Sequence, residues 1–339
     1  MFEKFIADKV WDCTLKYIRM MRITKEKFFE SLKEEKNIET YSREISKLWN
    51  VDHSFMTDAI KELSQMVNDK DVKLAEKYGV TQRSIKLQNT WQEYLNKDYE
   101  VYKLNPERDF TLMEQRYVNR HISYYKNQLN AVEKAVDKEV YLTNIVEKYD
   151  KIDKSIPYFS HTTGKIVSYQ TIATYNSMLF NWNLTHSAWN RTLYDAKLLG
   201  NNLLYLPAHP YACPMCMEYQ GYVYADNTPS KEDTKVLLKY GKRGEYMKEN
   251  AIKGGVGHPN CKHVWTIYWS QEQIQEEKWN SSEWEENYKI EQKKQSLDLE
   301  KSRLLSDRRI YKSLGDEGKV DDITSKIKAI REKKKELDQ

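Results

Sequence analysis

Cys213-Pro214-Met215-Cys216 and His258-Pro259-Asn260-Cys261-Lys262-His263 decide how the rest of the chain is read, because three of its four cysteines fall inside them. A Cys-x-x-Cys turn places two thiolates on one side of the backbone, and His-x-x-Cys does the same with an imidazole and a thiolate. Together they offer the four ligands that a tetrahedral zinc ion takes. We therefore expect one structural zinc site made by Cys213, Cys216, His258 and Cys261. His263 lies two residues past Cys261 and His209 four before Cys213; either is an alternative fourth ligand or a hydrogen-bonding partner of the ligand set. The competing reading is a group of reduced, buried cysteines with backbone-satisfied histidines, and the long interval from Met217 to Gly257 speaks for it.

Other chemistries fare worse. A thioredoxin-type Cys-x-x-Cys opens a helix after a strand, whereas this one follows Ala208-His209-Pro210-Tyr211 in an expected turn. A zinc deaminase needs Pro-Cys-x-x-Cys with an upstream His-x-Glu; here Ala212 precedes Cys213 and no His-x-Glu occurs. Phosphate-cradle, hydrolase-elbow and zincin motifs are missing from the sequence as well. The zinc is expected to be structural, and the chain not to be an enzyme.

A chain of 339 residues with 40% hydrophobic content has material for two or three domains. Its 25 tyrosines argue against disorder, and only 11 glycines and 7 prolines favour long helices over turn-rich sheets. The formal charge is +4, so no global field attracts nucleic acid and any such contact must be local. Three clustered cysteines and a lone Cys13, expected to be a small core residue, indicate a reducing compartment. With no apolar run near the length of a membrane span and no apolar N-terminal stretch, a cytoplasmic protein is expected.

In order, residues 1–155 read as a helical domain, with Asp52 a candidate cap ahead of Phe55, Ile60, Leu63 and Met66. The stretch from Leu74 to Ile85 resembles a helix-turn-helix, although Gly79 with Thr81 also suits two helices joined by a capped turn. From Phe110 to Lys151 the spacing of Tyr117, Val132, Val136, Val140 and Ile145 predicts one long helix, or two in line. Pro157, His161 and Gly164 break the pattern. A helix is then expected over 168–199, ending at Gly200.

Residues 156–270 form the second expected domain. There Leu203-Leu204-Tyr205-Leu206, Tyr222-Val223-Tyr224 and Val264-Trp265-Thr266-Ile267-Tyr268-Trp269 read as short strands pinned by the zinc. The polar, glycine-bearing excursion at 225–257 is expected to hold one short helix and to offer a contact surface. Residues 271–339 are strongly charged with both signs mixed. Ile290, Leu297, Leu304 and Tyr311, then Ile323, Ile327, Ile330 and Leu337, predict an antiparallel helical hairpin that packs on itself or on a partner. The fold class is mainly α with a small α+β module.

The succession of Gly200, Leu203-Leu204-Tyr205-Leu206, His209, the Cys-x-x-Cys, Gln220-Gly221-Tyr222-Val223-Tyr224 and His258-Pro259-Asn260-Cys261-Lys262-His263 resembles minor capsid proteins of tailed phages that infect Gram-positive bacteria. These are related to the Mu-type head-morphogenesis proteins. The likeness covers about residues 165–270, and the hairpin entered through Tyr288 and Gln292 and continuing to Arg308-Arg309 resembles the tail these proteins carry. Lys262 stands where the family usually has arginine, and the interval between the clusters is long. The resemblance implies a virion component, assembled in the host cytoplasm, that associates with the portal protein, with the major capsid or scaffolding protein as further candidate partners. It also implies weak, non-specific contact with packaged double-stranded DNA, no membrane in the assembled head, and no catalysis. Two other classes compete: a cytoplasmic DNA-binding regulator using the helix-turn-helix and a zinc module, and a zinc-dependent nuclease using His209 or His263.

Overall fold

A computed structural model of the chain describes residues 2–77, 106–154, 156–159, 166–209, 212–274 and 281–338. It is mainly helical. Two compact units emerge, each gathered from three separate stretches: Met1–Trp11, His53–Pro106 and Met178–Lys289 in one, and Asp12–Asp52, Glu107–Ser177 and Ile290–Gln339 in the other. Of the helix-turn-helix-like stretch, residues 78–85 lie outside the described residues, as does the break expected around His161 and Gly164.

The second unit holds most of α1 (Phe2–Lys33), α2 (Ile38–Leu48), α4 (Pro106–Glu133), α5 (Lys138–Asp153), the hairpin β1 (Ile156–Phe159) and β2 (Ile166–Gln170), and the C-terminal helices. The expectation of one helix, or two in line, over 110–151 is wrong. Asp137 caps α5 by accepting from the Val140 N–H at 3.0 Å, and the chain folds back there. Tyr149 then hydrogen-bonds His121 at 2.9 Å, and Tyr117 donates to Asp153 at 2.7 Å. Val136 and Val140, which extended the apolar spacing, stand exposed at the bend.

The core of this unit is aromatic. Phe28 packs on Phe29, Tyr41, Tyr124, Tyr125 and Tyr149 with ring centroids 4.9–6.3 Å apart. Tyr125 donates its hydroxyl to Ser31 O at 3.0 Å and Lys36 O at 2.7 Å, whereas the buried Tyr41 hydroxyl has no hydrogen-bond partner among the described residues. Cys13 is buried here, as expected, and burial pushes its thiol up to about 12.

The C-terminal hairpin forms as the heptad spacing predicts, from α10 (Ser281–Leu314) and α11 (Glu317–Glu336). Gly315 at φ +80° makes the turn, and Asp316 caps α11 by accepting from Lys319 N–H at 3.0 Å. Leu297, Leu304 and Tyr311 are buried, as are Ile323, Ile327 and Ile330. The hairpin is not self-contained, because α10 also packs on α1 through a part-buried Lys25–Asp307 pair at 2.6 Å and Arg309–Glu26 at 3.2 Å.

The first unit is built on α3 (Ser54–Lys77), α6 (Ile172–Leu198) from Met178 onward and a three-stranded antiparallel sheet. Strand order is β4 (Val223–Ala225), β3 (Leu203–Tyr205), β5 (Thr266–Ile267). The three expected strands are thus present and paired. Both faces of the sheet are covered: Leu204, Tyr224 and Ile267 join the cluster around Trp189 and Trp265, while Leu203, Tyr205 and Val223 join that around Leu237. This two-sided burial explains why the strands read as continuous apolar runs.

Two local expectations change. The helix predicted from 168 starts instead at Ile172, because β2 occupies the preceding residues and Thr171 caps the helix, its Oγ1 accepting from Thr174 N–H at 3.2 Å. The excursion holds two helices rather than one, α8 (Lys231–Tyr240) and α9 (Lys248–Lys253), after the small helix α7 (Pro214–Met217). A capping box at Ser230 and Asp233 starts α8, bridges tie Gly241 and Met247 to β4, and Lys248 pairs with Asp226. The excursion is packed structure, with Leu237, Ala251 and Val256 buried.

Candidate metal centre

The two knuckles are built alike. Cys216 N–H bonds Cys213 O at 3.0 Å and Cys261 N–H bonds His258 O at 2.8 Å, so each is one tight turn with its first and fourth side chains on the same side. Pro214 sits at the first position of α7, where its fixed φ suits the turn and its missing N–H costs nothing. Gly257, at φ +89°, precedes the second knuckle. A Cβ there would stand 2.4 Å from the Trp189 ring, so both backbone and space demand glycine.

A ladder of side chains on α6 carries the second knuckle. Asn181 donates to Pro259 O at 2.9 Å and to Cys261 O at 2.8 Å, Thr185 to Cys261 O at 2.8 Å, Trp189 to His263 O at 2.6 Å and Thr192 to Trp265 O at 2.9 Å. These residues recur every three or four positions, one face of a helix. Their buried donors satisfy the carbonyls of a segment with little regular structure of its own. Farther along, Arg191 ties α6 to α3 through Asn68 at 2.7 Å and pairs with Asp195.

The four expected ligands and His263 fall into two groups that share Cys216. Cys213, Cys216 and His258 form one group and Cys216, Cys261 and His263 another, with donor atoms in each group within 4.8 Å of one another. Cys216 Sγ lies 3.7 Å from Cys261 Sγ, close to the ~3.8 Å edge of a tetrahedron with metal–sulfur bonds of about 2.3 Å. Cys213 Sγ lies 3.0 Å from His258 Nε2, and Cys261 Sγ 3.7 Å from His263 Nδ1. Cys216, Cys261 and His263 are buried, Cys213 and His258 half-buried. Three sulfurs and two imidazoles make a donor set that fits a borderline-soft ion such as zinc.

The proton inventory suits a cation. Hydrogen bonding from Cys216 holds the Cys213 thiol down to about 4 against the opposing effect of burial, and contact with His258 adds to this. Burial works against the Cys261 thiolate, yet the hydrogen bond from the Cys216 thiol, with a smaller contribution from the Gly257 backbone, holds it well below its ordinary value. Cys216 is pushed up because its thiol proton serves both neighbours. Two thiolates therefore face one retained proton, the arrangement that an incoming cation displaces.

Hydrogen bonds also separate the two histidines. Gln220 Oε1 accepts from the His209 backbone N–H at 3.1 Å, which fixes the orientation of the amide. The same oxygen stands 2.9 Å from His263 Nε2, so that nitrogen carries the proton and Nδ1 turns a lone pair toward Cys261. For His258, Nδ1 accepts from Asn260 N–H at 3.2 Å, leaving Nε2 as the donor to the Cys213 thiolate. His209 belongs to neither donor group. Its ring lies 4.1 Å from that of His263, it is 6% exposed, and neither nitrogen has a hydrogen-bond partner among the described residues. Burial first, then His263 and Lys262, hold its imidazole well below the usual range and hence neutral.

Sequence reasoning missed Gln220 and the polar rungs of α6. The only signal was a set of polar residues at helical spacing along Asn181, Thr185 and Thr192, which a solvated helix face would display equally. Half-buried Tyr288, at the start of α10, is a further neighbour. Burial first, then the nearby Cys213 thiolate, raises its phenol.

The family model of phage minor capsid protein 2 matches residues 149–338, a span from the end of α5 through α11 that contains every residue of the centre. No curated protein and no solved structure matches the chain.

Proposed function

The chain belongs to the phage minor capsid protein 2 family, and on that premise we propose that it is built into the head at the portal vertex, with its Cys/His module closed by a structural zinc ion. A structural role in the phage head, and hence a place in the virion, follows from the family itself. The portal as partner, contact with packaged DNA and the zinc are our reading.

The observation that carries this reading is the burial of the centre. His209 and His263, the residues a nuclease would need, are 6% and 1% exposed, which disfavours contact with a scissile phosphate. A site of this kind holds a fold together. Zinc would sit at Cys216, the residue common to both groups, with Cys213 and Cys261. We assign the fourth position to His263 through Nδ1, whose lone pair Gln220 orients, while His258 serves as hydrogen-bond donor to the Cys213 sulfur. Zinc here supplies a crosslink between two knuckles far apart in sequence.

With its ends pinned by the knuckles and the sheet, the excursion at 225–257 presents Leu238 and Ile252 to solvent, and Met215 of the first knuckle is exposed too. Pre-ordered apolar side chains lose little entropy on docking, which makes this face the candidate contact with the portal or another head protein. The test is co-sedimentation with portal rings. Wild-type chain should travel with the rings, and Leu238→Asp with Ile252→Asp should abolish this while zinc content stays at one per chain. Portal-independent sedimentation, together with metal-dependent DNA cleavage lost in His209→Ala, would contradict the proposal.

A further inference from the structure

Ser306 is 2% exposed, and its Oγ has no hydrogen-bond partner among the described residues. It lines a cavity of about 450 Å³ that lies wholly inside the second unit, walled by α1, the end of α5, the start of α6 and α10. Arg22 lines the same space. Its buried Nε also lacks a hydrogen-bond partner, since Glu26 stands 3.8 Å away. Two donors thus line the cavity with no hydrogen-bond acceptor among the described residues, a condition that native proteins seldom leave uncompensated.

A third source of positive potential converges here. Thr171, Ala173 and Thr174, the first turn of the 27-residue α6, form part of the wall, and that turn contains no acidic residue. The leading N–H groups of a helix have no intrahelical acceptor, and its dipole favours an anion at this end. Lys25, Lys154 and Arg303 also line the space, against the acids Asp153 and Glu300. Of these, Lys25 is balanced by Asp307, and Asp153 already accepts from Tyr117 at 2.7 Å and lies 3.3 Å from His121 Nε2. Lys154 and Arg303 then stand against Glu300 and Asp153, so the positive potential of this wall comes from the helix end and the two unreceived donors. Ile18, Met21 and Leu299 supply apolar wall.

We propose that this cavity binds a phosphomonoester carrying an apolar body. The polar end needs an acceptor able to take several donors at once, as a phosphate does. The volume is in the range of small-molecule sites and far exceeds one phosphate ion, and the apolar wall accounts for the rest. The site lies apart in sequence from the Cys/His centre and does not depend on its metal.

The experiment is calorimetry on the full-length protein with deoxyadenosine 5′-monophosphate as the probe, beside deoxyadenosine and inorganic phosphate. The nucleotide should bind at least about tenfold more tightly than either half, because only it engages both the donors and the wall. Ser306→Ala and Arg22→Gln should each weaken it about three- to tenfold. Lys154→Met, at an exposed position where folding is not at issue, should weaken it and lessen its salt dependence. Deoxyadenosine binding as tightly as the nucleotide would overturn the anion assignment, and inorganic phosphate binding as tightly would overturn the apolar body. Absence of nucleotide binding, or folded variants with unchanged affinity, would overturn the site.

Discussion

Replacing Gln220 with leucine tests whether the metal centre is held as described. Gln220 is fully buried, and its Oε1 serves both the His209 N–H at 3.1 Å and His263 Nε2 at 2.9 Å. Leucine keeps about the same volume and removes the acceptor, stranding two buried donors at about 1–3 kcal/mol each. Against this, Gln220 Nε2 is itself buried without a hydrogen-bond partner among the described residues, and its removal returns a similar amount once. The net loss is about 1–3 kcal/mol, a fall of roughly 2–12 °C in melting temperature for a unit of this size. Zinc affinity should fall further, about 10–100-fold, because His263 is no longer fixed with Nδ1 toward the sulfurs. Chelator competition reads the affinity, and thermal unfolding with and without zinc separates the two effects. A Gln220→Leu protein that binds zinc like wild type would refute the assignment of His263, whatever its melting temperature.

Gly257→Ala should cost about 2–5 kcal/mol and impair zinc binding, since φ +89° is left-handed and the new Cβ meets the Trp189 ring; denaturant unfolding measures it. An unchanged midpoint would show that the turn before His258 is not constrained. Burial, with Asp195 nearby, pushes the Asp71 carboxyl well above its ordinary range, Lys70 and Arg191 opposing. A raised folded value means that this group's stability is full below the unfolded value and lost as pH rises through the folded one. Asp71→Asn, which mimics the protonated acid, should therefore flatten the loss of stability as pH rises above the unfolded carboxyl's range in urea titrations across pH. A variant whose stability declines as steeply as wild type places the titration elsewhere. Cys216→Ser should lower zinc content more than Cys213→Ser in elemental analysis, because Cys216 alone belongs to both donor groups; equal losses would count against the shared position.

The parts legible in the sequence are those whose signal is local. Cys213, Cys216, His258 and Cys261 announce themselves by i,i+3 spacing, and the three strands by runs buried on both faces. The hairpin could be read from its sevenfold spacing, because α10 and α11 bury one stripe against each other. What misled was also local. Val136 and Val140 continued the helical period across the Asp137 bend, and neither glycine nor proline marked the reversal, so only the tertiary pairing of Tyr149 with His121 reveals it. Gln220, Asn181, Thr185 and Trp189 act through partners 43 to 80 residues away. Nothing in their own neighbourhoods distinguishes them from ordinary polar or aromatic helix and turn residues. The choice between His258 and His263 likewise rests on which nitrogen each ring has free, a matter of hydrogen bonds and not of spacing.

The most direct measurement is quantitative mass spectrometry of purified mature particles and of portal complexes extracted from them. The account predicts that the chain is present in both, at a fixed ratio to the portal subunit that persists through washing at high salt. A chain absent from particles, or present in them but never recovered with the portal, would contradict placement at the vertex.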